Sequence, residues 1–523
     1  MADQFQLRNL LRDGFTALST GDLPRAGQLC KQILSLKPDL VQGHFLVGLV
    51  ALEAKDRKTA FQAFGSVTKL DPKHTAGWAQ LAKLFMSEGQ VTRADAALSE
   101  AVKYEPTDPL VTDLIGTVYS LMGEYGLAKS WFQRSVDLRP ENTGFLLNLA
   151  NNHVYYGETT EALELFEKII ALQPDSPQAH WSLAAARKAV DDTHIRVCKK
   201  LLERPGVHPR LQSFYYYAIG KECEDLERWD PAFDAFSRGA AARRQTVDYD
   251  EASEIGMFDF LENNFHSSWL EETGAGCADA SPIFVLGQPR TGTTLIERII
   301  SSHSQVSSAG ELQQFSLAIR RLSGHRAPKR FSAELFEAAL DVKPEKLGAM
   351  YLDTTRRVRG DTPHFVDKLP QNYLCIPLIL KALPNAKIVH LTRDPVDACF
   401  AAFKQLFADA YLHSYDQREM ARHYARYLGL MKVWHARFPG RIFDISYEAT
   451  TRDLESNVRG LLSYLELPFE DACLNFYDQK SAVSTASAAQ VREPAHTRSV
   501  GRWHRYEQQL QPMLEELRLK GVI

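Results

Sequence analysis

The sequence predicts an α + α/β chain: an all-α helical-repeat solenoid, then an α/β domain around a central parallel sheet. Three observations carry this. Prolines recur at a constant step of 34 residues up to Pro174. From residue 281 onward, short apolar runs alternate with longer helical stretches. The first of those runs opens "SPIFVLGQPRTGTTLIERIISSH" (281–303), which reads as a buried strand, a glycine-spaced loop and a helix. The expected domains are 1–245 (clear repeats 7–176, divergent repeats 177–245), a linker 246–280, and 281–523.

The repeats rest on three positional series. Pro38, Pro72, Pro106, Pro140 and Pro174 close successive units. Ala26, Ala60, Ala94, Ala128 and Ala162 keep the same step, as do Gly14, Gly48, Ala82, Gly116 and Ala150. Small residues at two places per period let paired helices approach closely, and proline ends the second helix. This pattern resembles the tetratricopeptide repeat (TPR). A sixth unit starts with Trp181 and Ala184 and loses register; a last divergent pair carries Gly220 and Ala232. The resemblance implies a concave surface for docking a peptide or protein partner. Asn148, Asn151 and Asn152 are candidates to bond a peptide backbone there, although the other repeats have no asparagine at the position of Asn148.

Composition sets bounds. A formal net charge of −4 excludes a generic nucleic-acid binder, so an anion site must be a local basic concentration. The seven cysteines are scattered with no CxxC or Cys/His cluster, so neither disulfides nor a metal site is expected. The polar, amphipathic start lacks a signal-peptide core, and no apolar run approaches the ~20 residues of a membrane span. A reduced, cytoplasmic protein is expected.

The acidic stretch 246–280 reads as a short helix and linker. Beyond it the expected strands are 283–287, 364–368, 386–393 and 441–447, near-continuously apolar as in a parallel sheet covered on both faces. Ligands of such sheets sit at the carboxyl ends of strands. There the first strand is followed by Gly287, Arg290, Thr291, Gly292, Thr293 and Thr294, with glycines that allow close backbone approach to an anion. A nucleoside-triphosphate P-loop would have lysine where Thr293 stands, and Arg290 is the cation available instead. After the third expected strand, Arg393 precedes Asp394-Pro395 and suits a second phosphate; a capping pair with Asp394 is the other reading.

Together, "QPRTGTTL", "LTRDP", "ISYEATTRDLESNVRGLLSYLELPFE" and "SAAQVREPAHTRSVGRWHRYEQQL" resemble the PAPS-dependent sulfotransferases over about residues 281–510. These transfer a sulfuryl group from 3′-phosphoadenosine 5′-phosphosulfate (PAPS) to a hydroxyl or amine, releasing PAP. The whole chain is similar to bacterial proteins joining TPRs to such a domain, and its catalytic half resembles the tyrosylprotein and heparan branch.

The resemblance implies that Arg290, Thr291, Gly292, Thr293 and Thr294 surround the 5′-phosphosulfate and that Arg393 takes the 3′-phosphate. Tyr447 falls near the nucleotide, and Ser487 and Arg492 fall in the segment closing over it. Lys368 would approach the bridging oxygen. Glu311 would accept the acceptor's proton, with His303 as rival base, and no metal is required. The acceptor is a protein, peptide or glycan among the classes that fit.

Three positions depart from the family: Ala401 for a serine eight residues after Arg393, Leu312 for a second acid, and Glu493 for a lysine. Lys404 and Gln405 are candidates to replace the serine. These departures keep open an alternative, a TPR interaction scaffold with a degenerate, inactive domain. A P-loop kinase is a further alternative, disfavoured by the missing lysine.

Overall fold

The structure, a computed structural model, describes residues 2–271, 275–326, 329–407, 409–485 and 490–523. The chain divides into two compact units, Met1–Asn148 and Leu149–Ile523.

In the first unit successive helices pack in pairs: Ala2–Ser19 with Leu23–Leu36, Val41–Glu53 with Arg57–Leu70, Thr75–Ser87 with Val91–Lys103, and Pro109–Leu121 with Tyr125–Leu138. Each of the prolines 38, 72, 106 and 140 falls two or three residues beyond a second helix, where its ring cannot disturb the helical ladder. The small-residue series is the seam of each pair. Ala26, Ala60, Ala82, Ala94 and Ala128 are all fully buried. A methyl group on Gly48 would lie 2.5 Å from the Phe64 ring, and one on Gly116 would lie 2.7 Å from the Phe132 ring. Glycine at the first position therefore makes room for an aromatic sixteen residues later.

The second unit contains the same device. Helix Pro209–Asp225 packs on Trp229–Arg244, and a methyl on Gly220 would lie 2.6 Å from Phe236. The helix Glu251–Asn264 buries Met257, Phe258 and Leu261. Its Glu251 and Glu254 pair with Arg422 and Arg426 of the long helix Gln417–Arg437.

The sheet has five parallel strands: β1 (Pro282–Gly287), β2 (Val306–Ser308), β3 (His364–Asp367), β4 (Lys387–Thr392) and β5 (Ile442–Ser446), in the order β2-β3-β1-β4-β5. Four match the apolar runs; β2 is additional. Side chains alternate between two cores. Phe284 and Leu286 of β1 join one apolar cluster, and Ile283 and Val285 join the other. Both faces are thus covered, as continuous apolar strands require. Chain order reverses about β1, which places the carboxyl ends of β1 and β4 side by side as a ligand crevice.

The divergent helical pair and the sheet half share one core. Phe233 lies 6.3 Å from Phe400 and 5.9 Å from Tyr506, ring centre to ring centre. The Tyr217 hydroxyl donates to the Phe403 carbonyl at 3.1 Å. All seven cysteines are free thiols. Among the described residues, no helix is long and apolar enough to cross a membrane.

Candidate functional site

The loop after β1 is shaped by its backbone. Gly287 and Gly292 have φ of 146° and 101°, which L side chains rarely adopt, and Arg290 itself is left-handed at 66°. A side chain on Gly292 would also strike the Tyr447 ring, 2.6 Å away. The helix Thr293–Ser301 begins directly after Gly292, so its first N–H groups open into the loop. Thr293 and Thr294 are buried there, and Thr291 Oγ1 donates to the Gln288 carbonyl at 2.7 Å.

Arg393, at the end of β4, reaches this loop. Its Nη1 donates to the Arg290 carbonyl at 2.6 Å and its Nη2 to the Ser499 carbonyl at 2.7 Å. Its guanidinium lies 4.7 Å over the Tyr447 ring, while its buried Nε has no protein partner. Burial and the neighbouring Arg393 push the Arg290 guanidinium down to about 10. A loop that carries one guanidinium side chain and has a second anchored to its main chain favours an anion there. The structure therefore brings Arg290, Thr291, Gly292, Thr293, Thr294, Arg393 and Tyr447 to one place.

A second group forms at the ends of β2 and β3. Gly310, left-handed at φ 74°, turns the chain after β2, and Lys368 N donates to its carbonyl at 2.9 Å. This pairs Glu311 with Lys368: Lys368 Nζ, only 1% exposed, donates to Glu311 Oε1 at 2.5 Å. Glu297, from the helix after the loop, stands 3.8 Å from the same Nζ and accepts from Ser308 Oγ at 2.6 Å. Burial pushes its carboxyl up, and Glu311 is the nearer of the two carboxylates to Lys368. Sequence reasoning missed Glu297; the available signal was an acid inside the apolar stretch "LIERII".

Other candidates lie elsewhere. His303 is buried, accepts from Gln305 N at 3.0 Å, and donates from Nε2 to the Pro468 carbonyl at 2.9 Å. Both ring nitrogens are engaged away from Glu311 and Lys368. Replacing His303 with alanine is expected to cost about 1–3 kcal/mol of stability and to leave kcat unchanged, as read from denaturant unfolding and initial rates. Arg492 donates to the carbonyls of Tyr155 (2.8 Å) and Ser481 (3.3 Å). Ser487 lies outside the described residues.

Around Ala401, Lys404 Nζ is taken by Glu224 of helix Pro209–Asp225 at 2.7 Å, and Gln405 Nε2 meets only the Leu406 carbonyl at 3.5 Å. Glu493 pairs with Arg498. In the first unit, Asn148 Nδ2 donates to Asp113 Oδ1 at 2.9 Å, and a cavity of about 600 Å³ is lined by Phe61, Trp78, Phe85 and Arg93.

Comparison with known proteins agrees with this architecture. Residues 282–471 match the sulfotransferase family, and residues 51–116, 113–142 and 147–187 match tetratricopeptide repeats. An uncharacterized protein of Aquifex aeolicus (strain VF5) is 32% identical over 388 residues, 72% of this chain and 50% of that protein. The chain thus spans half the length of that relative. A protein-tyrosine sulfotransferase of Drosophila melanogaster is 23% identical over 236 residues, 42% of this chain and 46% of that protein. Protein-tyrosine sulfotransferase 1 of Danio rerio is 20% identical over 234 residues, 43% of this chain and 66% of that protein.

Proposed function

Because the chain joins tetratricopeptide repeats to a domain of the sulfotransferase family, we propose that it is a PAPS-dependent sulfotransferase acting on an acceptor hydroxyl or amine. We assign transfer to 281–523 and recognition of acceptor or partner to the repeats of 1–245, with 246–280 joining them. The observation that carries this reading is Arg393 anchored on the Arg290 carbonyl of the loop, with the buried Lys368 paired to the exposed Glu311 at neighbouring strand ends.

These residues fit the donor's two anionic ends. The loop N–H groups, Arg290, Thr293 and Thr294 suit the 5′-phosphosulfate, and Arg393 beside Tyr447 suits the 3′-phosphate. PAPS supplies the sulfuryl group and leaves as PAP. Transfer of this kind passes through a loose transition state, so positioning and charge stabilisation dominate. Lys368 Nζ is the cation for negative charge growing on the leaving oxygen. Glu311 Oε accepts the proton from the acceptor hydroxyl, and the hydrogen bond from Lys368 holds that carboxylate in place. A tyrosine hydroxyl, which the names of the relatives favour, comes first among acceptors, ahead of sugar, lipid or metabolite hydroxyls.

One observation favours a second reading, a repeat scaffold whose domain does not turn over. Lys404, the nearest replacement for the serine absent at Ala401, is held by Glu224. Purified protein supplied with PAPS and a tyrosine-containing peptide separates the two: PAP and sulfated peptide appear in the first case only. Arg290→Ala is expected to abolish PAP binding at micromolar concentration in a calorimetric titration. Wild-type protein that binds no PAP at that concentration overturns the proposal.

A further inference from the structure

Away from the sheet, helices Pro177–Ala186, Thr193–Leu202 and Pro209–Asp225 bring two imidazoles, a thiol and a carboxylate together. His194 and Cys198 are four residues apart and so share one face of their helix. His180, from the preceding helix, stacks on His194 with ring centres 5.0 Å apart. His180 Nδ1 stands 2.8 Å from His194 Nε2, and Cys198 Sγ stands 3.8 Å from the same Nε2. His180 and Cys198 are wholly buried.

The outer hydrogen bonds determine which nitrogens carry protons. His180 Nε2 faces the Pro174 carbonyl at 2.9 Å, and a carbonyl can only accept. His194 Nδ1 faces the Glu222 carboxylate at 2.9 Å, which likewise accepts. Each imidazole therefore spends its N–H outward. The two remaining nitrogens, His180 Nδ1 and His194 Nε2, point their lone pairs at one another beside the thiol.

A shared proton or a cation resolves that opposition, and the Cys198 sulfur beside the two nitrogens supplies a third ligand for a cation. Histidines that donate their second N–H to a carbonyl and to a carboxylate are oriented as metal ligands are.

We propose that His180 Nδ1, His194 Nε2 and Cys198 Sγ are three ligands of a site for a zinc-like divalent cation, with Glu222 as the outer carboxylate. Zinc bond lengths of ~2.0–2.1 Å to nitrogen and ~2.3 Å to sulfur imply tetrahedral edges of roughly 3.4 and 3.6 Å. To reach them the His180–His194 spacing of 2.8 Å opens by about 0.6 Å and the Cys198–His194 spacing of 3.8 Å closes by about 0.2 Å, the three ligand atoms already lying within 4.8 Å of one another. Binding displaces the Cys198 proton to solvent and forms a sulfur–metal bond, with no change of oxidation state. One divalent ion, one thiolate and the Glu222 carboxylate sum to zero, which suits burial; Glu222 Oε2 has no partner of its own, and Arg187, 3.7 Å from Oε1, is the other charge nearby.

Two further groups, Glu254/His413/His423 and His390/His435/Asp444, hold no thiol. In them the rings of His390 and His423 have both nitrogens engaged.

The test is a cobalt(II) titration of the full chain after dialysis against chelator. The expected result is a thiolate-to-cobalt charge-transfer band with intense visible ligand-field bands, complete at one equivalent and bleached by zinc(II). Cys198→Ser should lose the charge-transfer band. Glu222→Gln should keep it with 10–100-fold weaker affinity. A wild-type titration without the band overturns the proposal whether or not the variants fold. So does a band that persists in both Cys198→Ser and His180→Ala, which would assign it to another cysteine.

Discussion

Glu311→Gln is expected to lower kcat for sulfuryl transfer by about 10²–10⁴-fold, the usual range for removing a general base, while PAP affinity stays within about twofold. The separation follows from placement. Glu311 stands after β2, paired with Lys368 at the end of β3, whereas Arg290 and Arg393 belong to the ends of β1 and β4. Glutamine keeps the size and an oxygen for Lys368 Nζ but cannot take a proton. Initial rates of PAP release, with a direct PAP titration on the same protein, read both quantities. A Glu311→Gln enzyme with wild-type kcat removes Glu311 as the base, and an equal loss of PAP affinity makes it a binding residue instead.

Glu224→Gln is expected to destabilise the second unit by about 3–5 kcal/mol, the cost of breaking a buried ion pair on one side. Glu224 accepts from Lys404 at 2.7 Å, Tyr506 at 2.8 Å and Arg502 at 3.2 Å. Burial opposes its charge, yet Lys404 and Arg502 hold its carboxyl below the ordinary range.

The loss carries a pH signature. Burial pushes the Lys404 ammonium down to about 8, so the folded state binds fewer protons than the unfolded chain between about pH 8 and the ordinary lysine range. Stability from this group therefore rises with pH across that window. Without Glu224 the folded value drops further and the window extends below pH 8. The variant should then gain stability from pH 6.5 to 8 relative to wild type, measured by urea unfolding at both values. A difference that does not change with pH, or a loss under 1 kcal/mol, contradicts this role.

What could be read from the sequence depended on whether the deciding interactions are local. The repeats were legible because helix pairing at a fixed spacing needs small residues at Ala26 or Gly48 whatever else the chain does. Four strands were legible because burial on both faces forces continuous apolar runs. β2 was not, since "VSS" is three residues long and pairs with β3 alone. Around the site, the loop and Arg393 declared themselves by their place at strand ends.

His303 and Arg492 did not, because their partners Pro468 and Tyr155 stand 165 and 337 residues away in sequence. Glu297 hid in an apolar helix, and its meaning depends on Lys368 arriving from another strand. The grouping of His180, His194 and Cys198 was hidden in the sequence for a similar reason. Its spacing matches no short motif, and only the packing of two helices makes a cluster of it.

The shared aromatic wall of Phe233, Phe400 and Tyr506 bears on how this chain can be taken apart. A fragment beginning at residue 281 would leave Phe400 and Tyr506 facing water and would strand Lys404 and Arg502 without Glu224. The last helical pair behaves as a permanent gasket of the sheet half, whatever its resemblance to a repeat. Any exchange of repeat arrays between such proteins, in the laboratory or by recombination, should succeed only with the cut placed upstream of Pro209.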